Sequence, residues 1–438
     1  MELEEAKLTL KKIVEKVIAE TKSVSPLFRD DVHVRYKIDS VTKDENGVIT
    51  GASWNTEGFT QISTTPFQVW LSEYEKEREY LELLDKLCDC LQCKKEKIMY
   101  PLNKLLTEQV LNGVNIGELD LFIEEALGKL PNWSMVALMS GIIPVETSIE
   151  LKKDVKLRPV SEEDLSYESS GILGVRLGFA MPLPHSILEL SLEEAYPNQL
   201  QHALQDLIII LSLYQVAAIS YKNYTMDTNS FFQFGEGTLS SGKNYSDKPI
   251  LFLKSTDVEL ITKYIDRIEP LISELDIRSD PKTSIEITVK RYLDSVRLTT
   301  TVDEKILQAI MGLEALFLTG GSEARFRLSL RVSQIMDLLN EDSLRVYSNL
   351  LKAYEYRSSY VHGSQIKSRN RIHAQNILFE IQNYLRKSIL LFLMLNIKTK
   401  NNKSTFLKAI DESLINPDKK EELVEKIKKT NENIWNIT

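Results

Sequence analysis

The chain has 438 residues, 43% of them apolar and 27% charged, the balance of a globular protein rather than a disordered one. Its net charge is −9, and three cysteines in this length exclude a disulfide scaffold. At roughly 150 residues per domain, there is room for about three domains.

Residues 2–22 predict an amphipathic helix, with Leu3, Leu10, Ile13, Val14, Val17 and Ile18 near one face. The segment lacks the apolar region of a signal peptide. Two extended runs follow, Val32–Ile38 and Val48–Trp54. Asp44-Glu45-Asn46-Gly47 joins them, and Asn-Gly is a hairpin signal. Helical patterns resume over 68–92 and 116–129. Residues 1–133 therefore read as a helical domain with a small β-hairpin.

Inside it, Cys88, Cys90 and Cys93 lie in CDCLQC. A Cys-x-x-Cys pair can bind zinc, but a structural zinc site takes four ligands, and no second pair or nearby histidine supplies them. On a helix, Cys90 and Cys93 share a face while Cys88 points elsewhere. The reading is three buried, reduced thiols.

Residues 134–280 read as a mixed α+β domain. Short β-like runs occur at Ser148–Lys152, Val155–Val160 and Gly174–Phe179, and a proline-containing stretch spans Met181–His185. Asn198–Tyr221 predicts a long buried helix, Asn223–Leu253 loop and short strand, and Thr256–Leu275 a further helix. Gly237 to Lys243 fits the first seven positions of a P-loop, but Asn244 stands where the magnesium-binding Ser or Thr belongs, and no helix follows promptly. It reads as a surface turn. His33, His185 and His202 read as structural.

The last segment is nearly all helix, with candidates over 284–297, 302–318, 322–339, 342–361, 369–396 and 419–430. Residues 281–400 read as an all-α bundle and 401–438 as a helical tail; Lys398–Lys403 reads as a solvated loop. The fold class is thus mainly α with a smaller α+β part. The most apolar stretches, Leu207–Leu213 and Ile389–Leu395, are too short to span a bilayer, so the expected setting is soluble and cytoplasmic.

Charge separates this last part from the rest. Residues 281–400 carry 18 Lys+Arg and 11 Asp+Glu, net +7, whereas residues 1–280 carry 29 and 45, net −16. Ten of the eighteen cations are Arg, whose planar fork suits phosphate. The block can serve a polyanion such as nucleic acid, or it can simply dock onto an acidic neighbour.

Within the block, Tyr356-Arg357-Ser358-Ser359-Tyr360-Val361-His362-Gly363 ends a predicted helix, with Gly363 a natural cap. An ideal helix sets Arg357 and His362 about 140° apart. They converge only if the last turn loosens or two copies meet across a dimer axis. Lys367, Arg369 and Arg371 follow at once. A group that titrates near neutrality, a permanent cation and a basic loop can together cleave a phosphodiester.

These residues resemble the HEPN superfamily (higher eukaryotes and prokaryotes nucleotide-binding), and more closely its Apea-like, abortive-infection branch. Three pieces over about 285–395 carry the resemblance. They are Leu313-Glu314-Ala315-Leu316-Phe317 followed by Gly320-Gly321-Ser322-Glu323, then Arg325 to Val332 (RFRLSLRV), then Arg357-Ser358-Ser359-Tyr360-Val361-His362-Gly363. Ile149–Leu165, containing LRPVSEEDL, is similar to the β-rich region that precedes the bundle in such proteins. Ser358 stands where many members place Asn, Asp or His.

The resemblance implies a cofactor-free, metal-independent endoribonuclease working as a homodimer in antiviral defence. Arg357 would bind the scissile phosphate. His362 would act as base on the ribose 2′-hydroxyl or as acid on the leaving oxygen. Ser358 and Glu314 would support the site, and Arg327, Arg331, Lys367, Arg369 and Arg371 would be candidates to bind RNA. Residues 1–280 would sense a phage-derived or cellular trigger. The alternatives are a non-catalytic HEPN module that binds RNA, nucleotide or protein, and the inactive half of a toxin–antitoxin pair.

Overall fold

The computed structural model describes residues 2–22, 24, 29–43, 49–145, 147–161, 164, 167–168, 184–233, 239–240, 248–277, 280–320, 322–364 and 366–431. It is mainly helical with a small sheet part. Among the described residues, no helix is long and apolar enough to cross a membrane.

The first unit comprises α1 (Glu2–Thr21), the hairpin β1 (Arg29–Lys43) and β2 (Ile49–Ser63), α2 (Thr65–Tyr74), α3 (Arg78–Cys90), α4 (Lys95–Asn112) and α5 (Ile116–Ala126). The strands are longer than the two runs that announce them, and the Asp44–Gly47 turn lies outside the described residues. The single helix expected over 68–92 is two, separated by a turn after Tyr74. Helix α4 was not expected. Its interior Pro101 lacks an N–H and is a poor helix former, yet Pro101 is buried and the helix runs through it. Leu10, Ile13 and Val17 of α1 pack with Leu84 and Leu87 of α3, Leu102 and Leu105 of α4, and Phe122 of α5.

The second unit is built on a six-stranded sheet. Its strands are β3 (Trp133–Ser140), β5 (Ile149–Lys152), β6 (Val155–Arg158), β8 (Ser186–Leu192), β9 (Ser220–Thr228) and β10 (Leu239–Ser240), in the order β10-β9-β3-β8-β6-β5. All its pairings are antiparallel. Strands β4 (Ile142–Pro144) and β11 (Leu251–Leu253) form a parallel pair, and β7 (Tyr167–Glu168) joins the hairpin beside β1. The run expected over 174–179 lies outside the described residues, as does most of the glycine-rich stretch 237–243. Helices α6 (Pro197–Tyr214) and α7 (Val258–Ser273) complete the unit.

Helix α6 stops seven residues before its expected end at Tyr221. The chain there is drawn into the sheet. Ala218 N–H donates to the Pro249 carbonyl at 2.8 Å, and Gly141, at φ +77°, lies so close that a Cβ would sit 2.2 Å from the Ala218 carbonyl oxygen.

The third unit holds α8 (Ser284–Arg297), α9 (Val302–Phe317), α10 (Ala324–Leu338), α11 (Ser343–Val361), α12 (Arg371–Met394), α13 (Lys400–Ser413) and α14 (Pro417–Asn431). Helix α8 opens with a capping box: Thr283 Oγ1 accepts from Glu286 N–H, and the Glu286 carboxylate accepts from Thr283 N–H. Lys398–Lys403 is not a solvated loop. Thr399 caps α13 by accepting from Asn402 N–H, and Lys403 is buried.

One apolar core runs from Trp133 to Ile427 through the second and third units, so the expected division at residue 280 separates no cores. Polar bonds cross the same seam. Arg386 of α12 donates to the Leu213 and Tyr214 carbonyls at the end of α6, and Tyr292 of α8 donates to the Ser212 carbonyl at 2.5 Å. The run Ile389–Leu393 lies wholly inside this core and offers no surface to a partner.

Candidate functional site

Helix α11 begins at an Asp342 cap that accepts from the N–H groups of Leu344 and Arg345. It stays α-helical through Val361. His362 is the C-cap, and its N–H reaches the Ser358 carbonyl at 3.1 Å. Gly363 turns the chain at φ +81°, a conformation that costs glycine nothing. Its N–H donates to Tyr360, and Ser364 N–H donates to the Ser359 carbonyl. These two bonds make a Schellman motif. The following loop is then pinned, because Asp303 at the start of α9 accepts from Ile366 N–H at 2.9 Å.

The last turn therefore does not loosen. Arg357 and His362 remain about 140° apart around the axis and about 7.5 Å apart along it. The structure brings Arg357 to Glu314 instead. The Arg357 guanidinium lies 3.6 Å from the Glu314 carboxylate on α9, and 5.4 Å from the ring centroid of Tyr354, one turn before it. Burial, together with the Glu314 charge and hydrogen bond, pushes the Tyr354 phenol above its ordinary range. Arg357 Nε is buried and finds no hydrogen-bond partner among the described residues. His362, by contrast, is exposed.

The other expected site residues divide cleanly. Ser358 is half-buried, and its carbonyl receives the His362 N–H. Lys367, Arg369 and Arg371 are exposed, and their side chains make no ion pair or hydrogen bond among the described residues. Arg327 is half-buried and donates to the Gly320 carbonyl at 2.8 Å. Arg331 is corrected from RNA-binding candidate to structural residue. It is buried, donates twice to the Asp411 carboxylate (2.7 and 2.6 Å), and donates to the Phe317 carbonyl at 2.6 Å.

Much of the basic block is likewise consumed internally. Arg325 and Lys352 converge on Glu355, Arg345 meets Glu380, and Lys387 meets Glu341. Lys398 crosses to Glu274 of the acidic part. Of the exposed cations of the block with no ion pair among the described residues, Lys367, Arg369 and Arg371 lie beside His362, and Lys282, Lys290 and Lys400 lie elsewhere.

Lys403 is a residue that the sequence reading missed. Its ammonium donates to the Ala315 and Leu318 carbonyls at 2.6 and 2.7 Å, closing the end of the helix that carries Glu314. Burial, then the nearby Arg331 charge, pushes it down to about 8. A lysine in a Lys/Asn-rich stretch gives no sign of burial in sequence.

His185 Nδ1 accepts from Gly141 N–H at 3.0 Å, while His202 and His373 are exposed on their helices; the side chain of His33 lies outside the described residues. Among the described residues, no group of three His, Cys, Asp or Glu is arranged to hold a metal ion. Compared with protein-family models, with curated proteins and with solved structures, the chain matches none.

Proposed function

We propose that the chain is a metal-independent endoribonuclease of the HEPN type, acting as a cytoplasmic homodimer in anti-phage defence. One observation supports this reading above the others. Arg357 is oriented by Glu314 and Tyr354 just before an exposed His362, and the adjoining segment presents three cations, Lys367, Arg369 and Arg371, that have no acidic partner among the described residues.

Arg357 binds the scissile phosphate and stabilises the charge that builds on it in the transition state. His362 takes the proton of the ribose 2′-hydroxyl or gives one to the leaving 5′-oxygen. Attack by the 2′-oxygen leaves a 2′,3′-cyclic phosphate and a 5′-hydroxyl. Base and acid must stand at opposite ends of the displaced bond, and one protomer offers one His362. A two-fold axis beside Gly363 supplies the second, because an isologous contact presents the same patch twice. Val361 and Ile372, 53% and 74% exposed, flank that position, with Phe379 two turns along α12.

The test is incubation of the full chain with mixed RNA in excess EDTA. Discrete fragments with cyclic phosphate ends support the reading, and intact RNA overturns it. A second reading, an RNA-binding module without catalysis, draws on the pairing of Arg357 with Glu314 rather than with His362. Retention of RNA without cutting favours it.

A further inference from the structure

The cysteine cluster is left unused by this chemistry, and its geometry differs from the one its spacing suggests. Helix α3 ends at Cys90, with Leu91 as its cap. Gln92 takes φ +51°. Its N–H donates to the Asp89 carbonyl at 3.2 Å, and Cys93 N–H reaches back to the Cys88 carbonyl at 3.0 Å. This is again a Schellman motif, in which the last residue folds its side chain against the residue five positions earlier.

Four other helices end in the same way among the described residues. Lys129 N–H reaches the Glu124 carbonyl, Glu341 reaches Met336, Ser364 reaches Ser359, and Ile397 reaches Phe392. Each has positive φ one residue before the donor, at Gly128, Asn340, Gly363 and Asn396. At the first of them the facing side chains close a Lys129–Glu124 ion pair at 2.8 Å. At the end of α3 both facing positions are cysteine, and the Cys88 and Cys93 side chains interact with each other. Cys90 belongs to the Cys-x-x-Cys spacing but not to the facing pair.

We propose that Cys88 and Cys93 are a reversible disulfide site, closed by a peroxide, that locks the C-terminal end of α3. Cys88 is buried in the first core, and Cys93 is the more accessible partner. Cys93 loses its proton, and its thiolate attacks a peroxide oxygen. The O–O bond breaks, one water leaves, and a sulfenic acid forms. The Cys88 sulfur then attacks that sulfur, the S–O bond breaks, and a second water carries away the remaining proton and oxygen. Two thiols are oxidised and one peroxide is reduced. Burial pushes the Cys93 thiol up, and burial followed by Cys93 pushes Cys88 up to about 12. Only the thiolate attacks the peroxide, so the first step, at Cys93, accelerates as pH rises.

The experiment uses the full chain, titrated with hydrogen peroxide, alkylated, digested with trypsin and weighed. All three cysteines fall in the fragment from Leu87 to Lys94. The expected product is that fragment lighter by two hydrogens, alkylated once, at Cys90, and returned to three alkylated thiols by prior dithiothreitol. Cys90→Ser keeps the bridge and Cys93→Ser abolishes it. A bridge between Cys90 and Cys93, a bridge persisting in Cys93→Ser, or sulfinic acid formed without any bridge overturns the proposal.

Discussion

Lys403 donates to the carbonyl of Ala315, the residue that follows Glu314, at 2.6 Å. Arg331 takes the Phe317 carbonyl beside it, so two cations close the end of α9, where the helix dipole favours positive charge. Burial makes the lysine charge expensive and brings its folded-state pKa to about 8, against an ordinary 10.5. Between these values the unfolded chain holds the proton and the folded chain has released it. Unfolding free energy from this group therefore rises as pH climbs from 8 to 10.5 and is flat below 8. Urea unfolding of the wild type and Lys403→Met across that window should show the wild type gaining on the variant, by about 3 kcal/mol at most. A constant difference would mean that burial does not depress the lysine's pKa in the folded chain.

Two glycines at positive φ should respond differently to alanine. At Gly363, φ +81° with nothing within 4 Å of an added Cβ, only backbone strain is added, about 1 kcal/mol. At Gly141 the Cβ would strike the Ala218 backbone, and the substitution should cost about 3 kcal/mol or more. Denaturant midpoints of the two variants give the comparison.

Arg357→Ala and His362→Ala should each abolish RNA cleavage. His362 is exposed, so its variant should unfold with the wild type. Arg357→Ala leaves Glu314 half-buried without its cation and should lose about 1 kcal/mol. Glu314→Gln keeps the shape but not the charge that aims the guanidinium; cleavage should fall about 100-fold. Wild-type rates in any of the three would remove that residue from the site.

Light scattering should give twice the mass of the chain. Ile372 is 74% exposed beside the basic loop, so Ile372→Asp should leave the fold intact while producing monomers that no longer cut. Monomers that cut at the wild-type rate would dissolve the shared site.

Six of the seven helices of the C-terminal part were legible from their helical periodicity, and Gly363 marked the end of α11. The strands β3 and β8 were not seen. Both are buried on both faces over part of their length, which removes the alternation that marks a strand. Helix α4 was hidden by Pro101, and α13 by the polar residues of its first turn. At the site, Arg357, His362 and Glu314 were all named from sequence, yet their pairing was not. The contact of Arg357 with Glu314 depends on how α9 crosses α11, which no local pattern encodes. Arg331 shows the converse. A basic residue in a basic stretch looks solvated until its partner, Asp411, arrives 80 residues later.

Because a single interior runs from Trp133 to Ile427, a fragment starting near residue 281 would not be a self-sufficient protein. It would lose the sheet and helices against which α8 and α12 rest, and would leave Arg386 and Tyr292 reaching for carbonyls no longer present. The same continuity gives events at the sheet a route to the helices behind His362, since the two share one packed boundary with no hinge of solvent between them.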